Sequence, residues 1–198
     1  MIVVGVDPGS HRTGFAVLAP RRGPVAADWL IDAGVIRPSK TRRTMEDRVE
    51  GMVEEITAII RTAGEDSSEG FARVAIEIPS GKVGTGSRRG ATTSLIVYGF
   101  AAGAIWAAAC AASDNHCYAV TERAWTRGVP KARRAYLIAA KFPHYRTAMA
   151  ADVGLDAADA IGLALWSFER RHRAWIATPS AAGLTTRAGD HGAAARPC

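Results

Sequence analysis

The sequence contains little cysteine, and its few cysteines are not paired. The three cysteines in 198 residues, Cys110, Cys117 and Cys198, are odd in number and show no close C-x-x-C spacing. A disulfide framework would favour an even number of cysteines, and a cysteine zinc site would favour close pairs. Both are therefore disfavoured, and we expect a protein of the reducing cytoplasm.

The sequence also shows no clear leader or membrane span. Residues 1–6 are apolar and run straight into an acid, without a basic segment or a small-residue cleavage site, so we interpret them as a first strand. Residues 91–113 carry no charge and are long enough to span a bilayer, but glycines and alanines make them only mildly apolar. We expect a buried helix there and no membrane partner. The Gly99-x-x-x-Gly103 spacing would let another helix approach closely, in the core or across a dimer.

Acidic residues are fewer than basic ones. The 25 Lys and Arg residues against 19 Asp and Glu residues give a formal net charge of +6. Most of the basic residues are Arg, whose guanidinium can donate two hydrogen bonds to one phosphate. This charge favours a polyanionic partner without identifying it. The length and the 48% hydrophobic content support one domain, expected at residues 1–173, followed by a disordered tail at 174–198.

Short apolar runs bounded by turn residues alternate with longer segments of helical spacing. The runs predict five strands, at residues 2–7, 13–19, 29–36, 72–78 and 117–120. The longer segments predict four helices, at residues 44–63, 91–113, 130–141 and 156–173. Three consecutive strands followed by strands that alternate with helices predict an α/β fold. Its mixed five-stranded sheet would carry helices on both faces.

Four acids stand at positions where a folded chain rarely places them without a use. Asp7 and Glu77 end apolar strands, and Asp156 and Asp159 lie three residues apart at the start of a helix. Each has an ordinary alternative. Asp7 could bond the backbone of its Asp-Pro-Gly turn, Glu77 could form an ion pair at a strand edge, and the two helix acids could cap the helix.

The joint arrangement of the four acids favours a metal site over four separate structural roles. Two strand ends and one helix start can converge, and clustered carboxylates repel one another unless cations neutralise them. Oxygen donors without cysteine or a clear histidine set favour Mg²⁺, with Mn²⁺ as a substitute. Two such ions, roughly 3.5–4 Å apart, would catalyse phosphodiester hydrolysis. The pattern therefore indicates a nuclease.

Three segments carry a resemblance to a known family. Residues 5–10 with residues 13–17, the strand-terminal Glu77, and Asp156-Ala157-Ala158-Asp159-Ala160 resemble, in this order, motifs of the RuvC family of Holliday-junction resolvases. The resemblance covers about residues 1–172 and implies a ribonuclease H-like fold, a homodimer and a four-way DNA junction as substrate. It also implies that the four acids are the metal-binding catalytic residues. Residues 78–81 lack the aromatic that family members carry there, so the chain resembles a divergent or phage-type member.

Basic residues near the predicted site are candidates for DNA contacts. One group lies on a glycine-rich loop after Glu77, and the other lies around the start of a helix, whose N-terminus favours phosphate. The alternative for each is a solvated charged face. Trp125 could stack on a base, although a Trp beside a strand end is more often core. The candidates are Lys82, Arg88, Arg89, Arg127, Lys131, Arg133 and Arg134.

The sequence thus predicts a structure-selective endonuclease that nicks four-way junctions by metal-assisted attack of water. A ribonuclease H-like nuclease for flaps, forks or RNA would share the same metal site. A catalytically inactive protein that binds branched DNA is a third alternative, but the presence of all four acids argues against it. An actin-like ATP-binding domain would need a second, duplicated domain, for which 198 residues leave no room.

Overall fold

The sheet has five strands, as the sequence predicts. They are β1 (Ile2–Asp7), β2 (Thr13–Leu18), β3 (Leu30–Ile36), β4 (Ala72–Ile78) and β5 (Cys117–Thr121). Their order across the sheet is β3-β2-β1-β4-β5. The first three strands pair antiparallel, whereas β4 runs parallel to both β1 and β5. The computed structural model describes residues 1–21, 24–39, 41, 44–78, 89–149 and 151–172. The tail predicted at 174–198 lies outside them.

Helices cover both faces of the sheet. They are α1 (Met45–Glu65), α2 (Arg89–Ala112), α3 (Glu122–Thr126), α4 (Lys131–Lys141), α5 (Pro143–Ala148) and α6 (Asp156–Ser167). On one face, α1 and α2 pack against β1 residues such as Val4 and Val6. On the other face, α4, α5 and α6 pack around Val3 and Leu18. Alternation along the strands therefore separates two cores.

Several element bounds differ from those predicted. The short helices α3 and α5 were not expected, and neither was the 3₁₀ turn Ala27–Trp29, which buries Trp29 where the sequence predicted the start of a strand. The last helix was expected to reach residue 173, but α-helical geometry ends at Ser167 and a π-helical segment follows at Phe168–His172. The first helix begins with a cap that the sequence analysis did not predict. The Thr44 side chain and that of Asp47 form a reciprocal capping box.

The prediction of a buried α2 is wrong for one face of that helix. Ala101, Ile105 and Ala109 pack into the core, but Ile96 is 68% exposed and Phe100 is 48% exposed. Among the described residues, only the side of α2 that meets α1 and the sheet is covered. In the described part of the chain, no helix is long and apolar enough to cross a membrane.

Helix α6 lies directly on the sheet because two strand positions have no side chain. A Cβ atom at Gly5 would lie 2.1 Å from the carbonyl oxygen of Ala160. A Cβ atom at Gly14 would lie 2.2 Å from the carbonyl oxygen of Asp156. Glycine is thus required at both positions for the helix backbone to approach this closely. The start of α6 is thereby held over β1 and β2.

Candidate active site

Two of the four predicted acids reach the site from neighbouring parallel strands. Asp7 ends β1, and Glu77 stands one residue before the end of β4. Because β1 and β4 are parallel, their carboxyl ends lie at the same edge of the sheet. Side chains alternate between the two faces along a strand, and both Asp7 and Glu77 point to the face that α6 covers. Asp156 and Asp159 lie in the first turn of α6. The structure therefore places all four acids at one edge of the sheet.

Three basic side chains neutralise the aspartates. Nζ of Lys131 lies 2.9 Å from Oδ1 of Asp156, 3.0 Å from Oδ2 of Asp159 and 3.9 Å from Oδ2 of Asp7. Arg134 donates Nε and Nη2 to the two oxygens of Asp159, each at 2.9 Å. Arg12 pairs with Asp156 from the turn that follows β1. Lys131 and Arg134, both predicted to contact DNA, instead bond carboxylates in this structure.

Glu77 has a different partner. Nε1 of Trp125 donates a hydrogen bond of 2.6 Å to its Oε2. Trp125 is 8% exposed and belongs to a small apolar cluster with Ala75, Val120 and Leu163. The expectation that Trp125 belongs to the core is therefore met, but its indole nitrogen also reaches the predicted site.

Burial and mutual repulsion raise the proton affinity of the two strand acids. Burial raises the pKa of Asp7 well above its usual range, and the charges of Glu77 and the helix aspartates add to this while Lys131 opposes it. Burial likewise raises the pKa of Glu77 to about 7, against the hydrogen bond from Trp125, which lowers it. Desolvation lowers the pKa of Lys131, but its bonds to Asp156 and Asp159 outweigh this and raise it overall. The site thus holds more negative charge than its own cations balance.

The start of α6 is organised by a residue that the sequence reasoning did not identify. Asp152 is 3% exposed and accepts hydrogen bonds from the backbone N–H groups of Asp156, at 2.9 Å, and Ala158, at 3.2 Å. It also accepts a 2.7 Å bond from the hydroxyl of Tyr145 on α5. Asp152 therefore caps the helix, and the carboxyl group of Asp156 is left for the site. The sequence signal for this cap is an acid four residues before the helix start, whereas the sequence analysis offers Asp156 and Asp159 as possible caps.

A cleft of about 420 Å³ opens beside the acids. The turn of residues 8–12 forms one wall, and Tyr98 of α2 lines it together with Asp7, Lys131 and Asp156. Burial, with the charge of Asp7, raises the pKa of Tyr98, so its hydroxyl stays protonated. A polar cleft bordered by a hydroxyl, two cations and carboxylates has the chemistry to receive a phosphodiester.

The remaining DNA-contact candidates fall in different places. Arg127 and Arg133 are exposed around the start of α4, and the guanidinium of Arg133 lies 5.5 Å from the ring centre of Tyr136. Arg89 begins α2. Lys82 and Arg88 lie outside the described residues. Arg12, which the sequence analysis did not single out, pairs with Asp156 from the turn between β1 and β2.

The residues present fit a hard divalent cation. Four carboxylates supply only oxygen donors, and Oδ2 of Asp156 is buried against Arg12 without accepting a hydrogen bond. Across the described ranges, no three acid, histidine or cysteine side chains are arranged to coordinate a single ion. The oxygens of Asp156 and Asp159 are instead paired with Lys131, Arg134 and Arg12. Binding of a metal would therefore exchange part of these ion pairs for metal contacts.

Comparisons with known proteins identify the family and the fold of this chain. The model of the family described as crossover junction endodeoxyribonuclease RuvC matches residues 3–166. Thermus thermophilus RuvC in complex with Holliday junction substrate is similar over 87% of this chain and 96% of that chain, with 22% identity and a TM-score of 0.60. Another Thermus thermophilus RuvC structure is similar over 86% and 96%, with 17% identity and a TM-score of 0.54. A search of curated proteins found no match. These likenesses confirm the predicted ribonuclease H-like fold.

Proposed function

Because the chain belongs to the RuvC family of crossover junction endodeoxyribonucleases, we propose that it resolves four-way DNA junctions by hydrolysing phosphodiester bonds. The observation that carries this proposal is the meeting of Asp7, Glu77, Asp156 and Asp159 at one edge of the sheet, beside a polar cleft. The solved relative in complex with a Holliday junction supports branched DNA as the substrate class. Action on DNA also agrees with the cytoplasmic location expected from the cysteines.

The proposed cofactor is Mg²⁺, with Mn²⁺ as a substitute. The four carboxylates would hold it, and a divalent cation would offset both the burial of Asp7 and Glu77, which is the main cause of their raised pKa, and the repulsion between the acids. When bound, the metal lowers the pKa of water and neutralises charge on the phosphate. A pair of ions is the arrangement that four carboxylates support best, so we propose a two-metal site.

The protein's own cations have a separate part in this reaction. Lys131 and Arg12 border both the carboxylates and the cleft, and their side chains are 38% and 41% exposed. They can therefore supply positive charge to a phosphate in the cleft, where charge builds up during cleavage. The exposed Arg127 and Arg133 are proposed to contact the DNA backbone farther from the reacting bond. Lys82, Arg88 and Arg89 stay candidates for DNA contact from the sequence alone.

A homodimer is proposed through the outer face of α2. Along that face, exposed residues recur at helical spacing: Ile96, Gly99, Phe100 and Gly103. Within the described part of the chain, the two glycines have open space where a side chain would stand. Apolar residues around two exposed glycines favour close packing against a second helix. A two-fold dimer would set two active sites against a substrate of the same symmetry, and each site would nick one strand.

The proposal is tested by cleavage of a labelled four-way junction beside matched duplex, flap and single-stranded DNA. Native protein and Asp7→Asn are compared with Mg²⁺, with Mn²⁺ and without metal. We expect paired, metal-dependent nicks confined to the junction and their loss in the variant. If flaps or single strands are cut instead, the proposal of a metal site stands, but the proposal of a four-way junction as the substrate is wrong. Binding of the junction without any cleavage would favour the catalytically inactive alternative.

A further inference from the structure

The indole of Trp125 is placed more specifically than packing alone requires. A buried indole needs a partner for its N–H group, but many acceptors could satisfy it. Here the partner is Oε2 of Glu77, 48 residues away along the chain, at 2.6 Å. The bond occupies one oxygen of the carboxylate and restrains the orientation of the Glu77 side chain. The other oxygen accepts no bond from Trp125.

The ring of Trp125 is in turn in contact with two elements of the site. The guanidinium of Arg134 on α4 lies 4.8 Å from the ring centre. The edge of the ring abuts α6, since a Cβ atom at Gly162 would lie 2.8 Å from its Cζ3. A cation over an indole is a favourable contact, and a glycine lets the ring edge reach the helix backbone. The indole therefore has little freedom to turn.

Arg134 is itself fixed. Besides the two bonds to Asp159, its Nη1 donates to the carbonyl oxygen of Val129 at 2.7 Å. Its side chain is 11% exposed, so these bonds are largely shielded from water. A continuous path of contacts thus joins Glu77 on β4, Trp125 on α3, Arg134 on α4 and Asp159 on α6.

We propose that Trp125 is a positioning residue of the metal site, which orients Glu77 for the cation and is clamped for that purpose by Arg134 and Gly162. This inference rests on the metal-dependent function proposed above. Partners that bond a metal ligand from behind fix its orientation, and their loss typically weakens metal binding about 10–100-fold. Trp125 does not contact the substrate or the metal in this proposal, so its effect passes through Glu77 alone.

The test is the affinity of the full chain for Mn²⁺ alone, measured by calorimetry without DNA. Trp125→Phe keeps an aromatic ring and removes the N–H donor, and we expect about a tenfold or greater loss of affinity. Trp166→Phe is the matched control, because Trp166 packs against the same apolar cluster and its Nε1 has no hydrogen-bond partner among the described residues. It should bind Mn²⁺ as the native protein does.

Two further measurements distinguish positioning from loss of structure. In Trp125→Phe, cleavage should be restored by higher Mn²⁺ with kcat nearly unchanged, whereas a misfolded fraction would not be rescued. In a Glu77→Gln background, Trp125→Phe should have no additional effect on Mn²⁺ affinity. In the otherwise native protein, Glu77→Gln should move one indole N–H signal in the NMR spectrum, and this readout does not require the Trp125 variant to fold.

The outcomes separate this inference from the proposed function. Tight Mn²⁺ binding by native protein, its loss in Asp7→Asn and unchanged affinity in Trp125→Phe would overturn the role of Trp125 alone. The role of Trp125 would also be overturned if Trp125→Phe and Glu77→Gln reduced Mn²⁺ affinity additively. It would be overturned as well if Glu77→Gln moved no indole N–H signal in the NMR spectrum. A native protein that binds no Mn²⁺ would overturn the metal site and this inference together.

Discussion

The surroundings of Asp7 disfavour the charged form of its carboxyl group. It is buried at the end of β1, its side chain is 14% exposed, and burial with the charge of Glu77 raises its pKa. Asp7→Asn keeps the shape and removes the charge, so it should abolish cleavage and stabilise the metal-free fold. We expect a gain of about 1 kcal/mol, or roughly 2–4 °C in Tm for a chain of this size.

Differential scanning calorimetry in a chelator checks this expectation for Asp7. Asp32→Asn, on the exposed edge strand β3, is the control and should leave the Tm almost unchanged. A lower Tm for Asp7→Asn than for the native protein would mean that Asp7 is a structural residue of the turn.

Glu77 should make the metal-free protein less stable as the pH rises. Its pKa is about 7 in the folded state against an ordinary value of 4.5. Below pH 4.5 both states hold the proton, so Glu77 contributes nothing. Between pH 4.5 and 7 the unfolded chain releases the proton first, so stability falls, by roughly 3 kcal/mol in total. Above pH 7 the full loss is present.

Urea unfolding at pH 5 and pH 8 in a chelator measures the effect of Glu77. Glu77→Gln should reduce the difference in unfolding free energy between the two pH values, and Asp7 accounts for what remains. If native protein and Glu77→Gln show the same difference in unfolding free energy between pH 5 and pH 8, Glu77 is not the group responsible for the pH dependence. Saturating Mg²⁺ should also reduce it, because the metal replaces the proton.

The identity of the four acids could be predicted from the sequence, but their partners could not. A charged residue that ends an apolar strand is visible in the sequence, as Asp7 and Glu77 are. The bond from Trp125 to Glu77 joins residues 48 positions apart, and its existence depends on how α3 lies against β4. Local patterns carry no information on such contacts. The catalytic role of the acids stays a prediction.

At the scale of elements, α6 depends on Asp152 for its start. The carboxylate accepts two backbone N–H groups of the first turn and the buried hydroxyl of Tyr145. Asp152→Ala leaves these three donors without their acceptor, so we expect a loss of about 2–3 kcal/mol of unfolding free energy. Asp152→Asn, which retains one acceptor oxygen, should lose less.

Urea unfolding compares the two Asp152 variants with the native protein. Because the N-terminal turn of α6 carries Asp156, we also expect Asp152→Ala to bind Mn²⁺ more weakly than Asp152→Asn at a temperature where both are folded. Equal stability of the alanine variant and the native protein would show that water replaces the carboxylate at no cost.

The long elements were predictable and the short ones were not. The strands show apolar runs between turn residues, and α1 shows apolar residues at helical spacing, so sequence and structure agree within a few residues. Helices α3 and α5 have five and six residues. At that length a helix has too few turns for periodicity, and tertiary contacts determine it.

At the scale of the whole molecule, the exposed face of α2 predicts a dimer. Gly103→Leu places a side chain where the described structure has open space, so the monomer should fold at least as well as native protein. The same side chain would keep a second helix at a distance. We expect light scattering to give a dimer for native protein and a monomer for the variant, with loss of paired nicks.

A control for the dimer changes an apolar surface residue elsewhere. Val153 is 82% exposed in the turn before α6, and Val153→Ser should remain dimeric. A native protein that is monomeric at working concentrations would contradict the dimer. A dimeric Gly103→Leu would move the interface to another surface.

The sheet architecture followed from the order of elements, whereas the exposure of α2 did not. Three antiparallel strands and parallel strands with crossover helices leave few arrangements, and the observed order is one of them. The uncharged segment at residues 91–113 fits a fully buried helix and a helix with one apolar face outside equally well. The distinction depends on which elements surround it.

The direct seating of α6 on Gly5 and Gly14 has a consequence for how this protein tolerates mutation. Most cores absorb a changed side chain by letting neighbouring layers slide apart by a fraction of an ångström. Here backbone meets backbone, so no side chain sets the spacing between Asp7 and the two helix acids. Other core residues can therefore change during evolution, with changes in stability, while the spacing of these three acids stays constant. We expect that laboratory selection for a more stable variant gives substitutions in the core beneath α1 and α2, and none at Gly5 or Gly14.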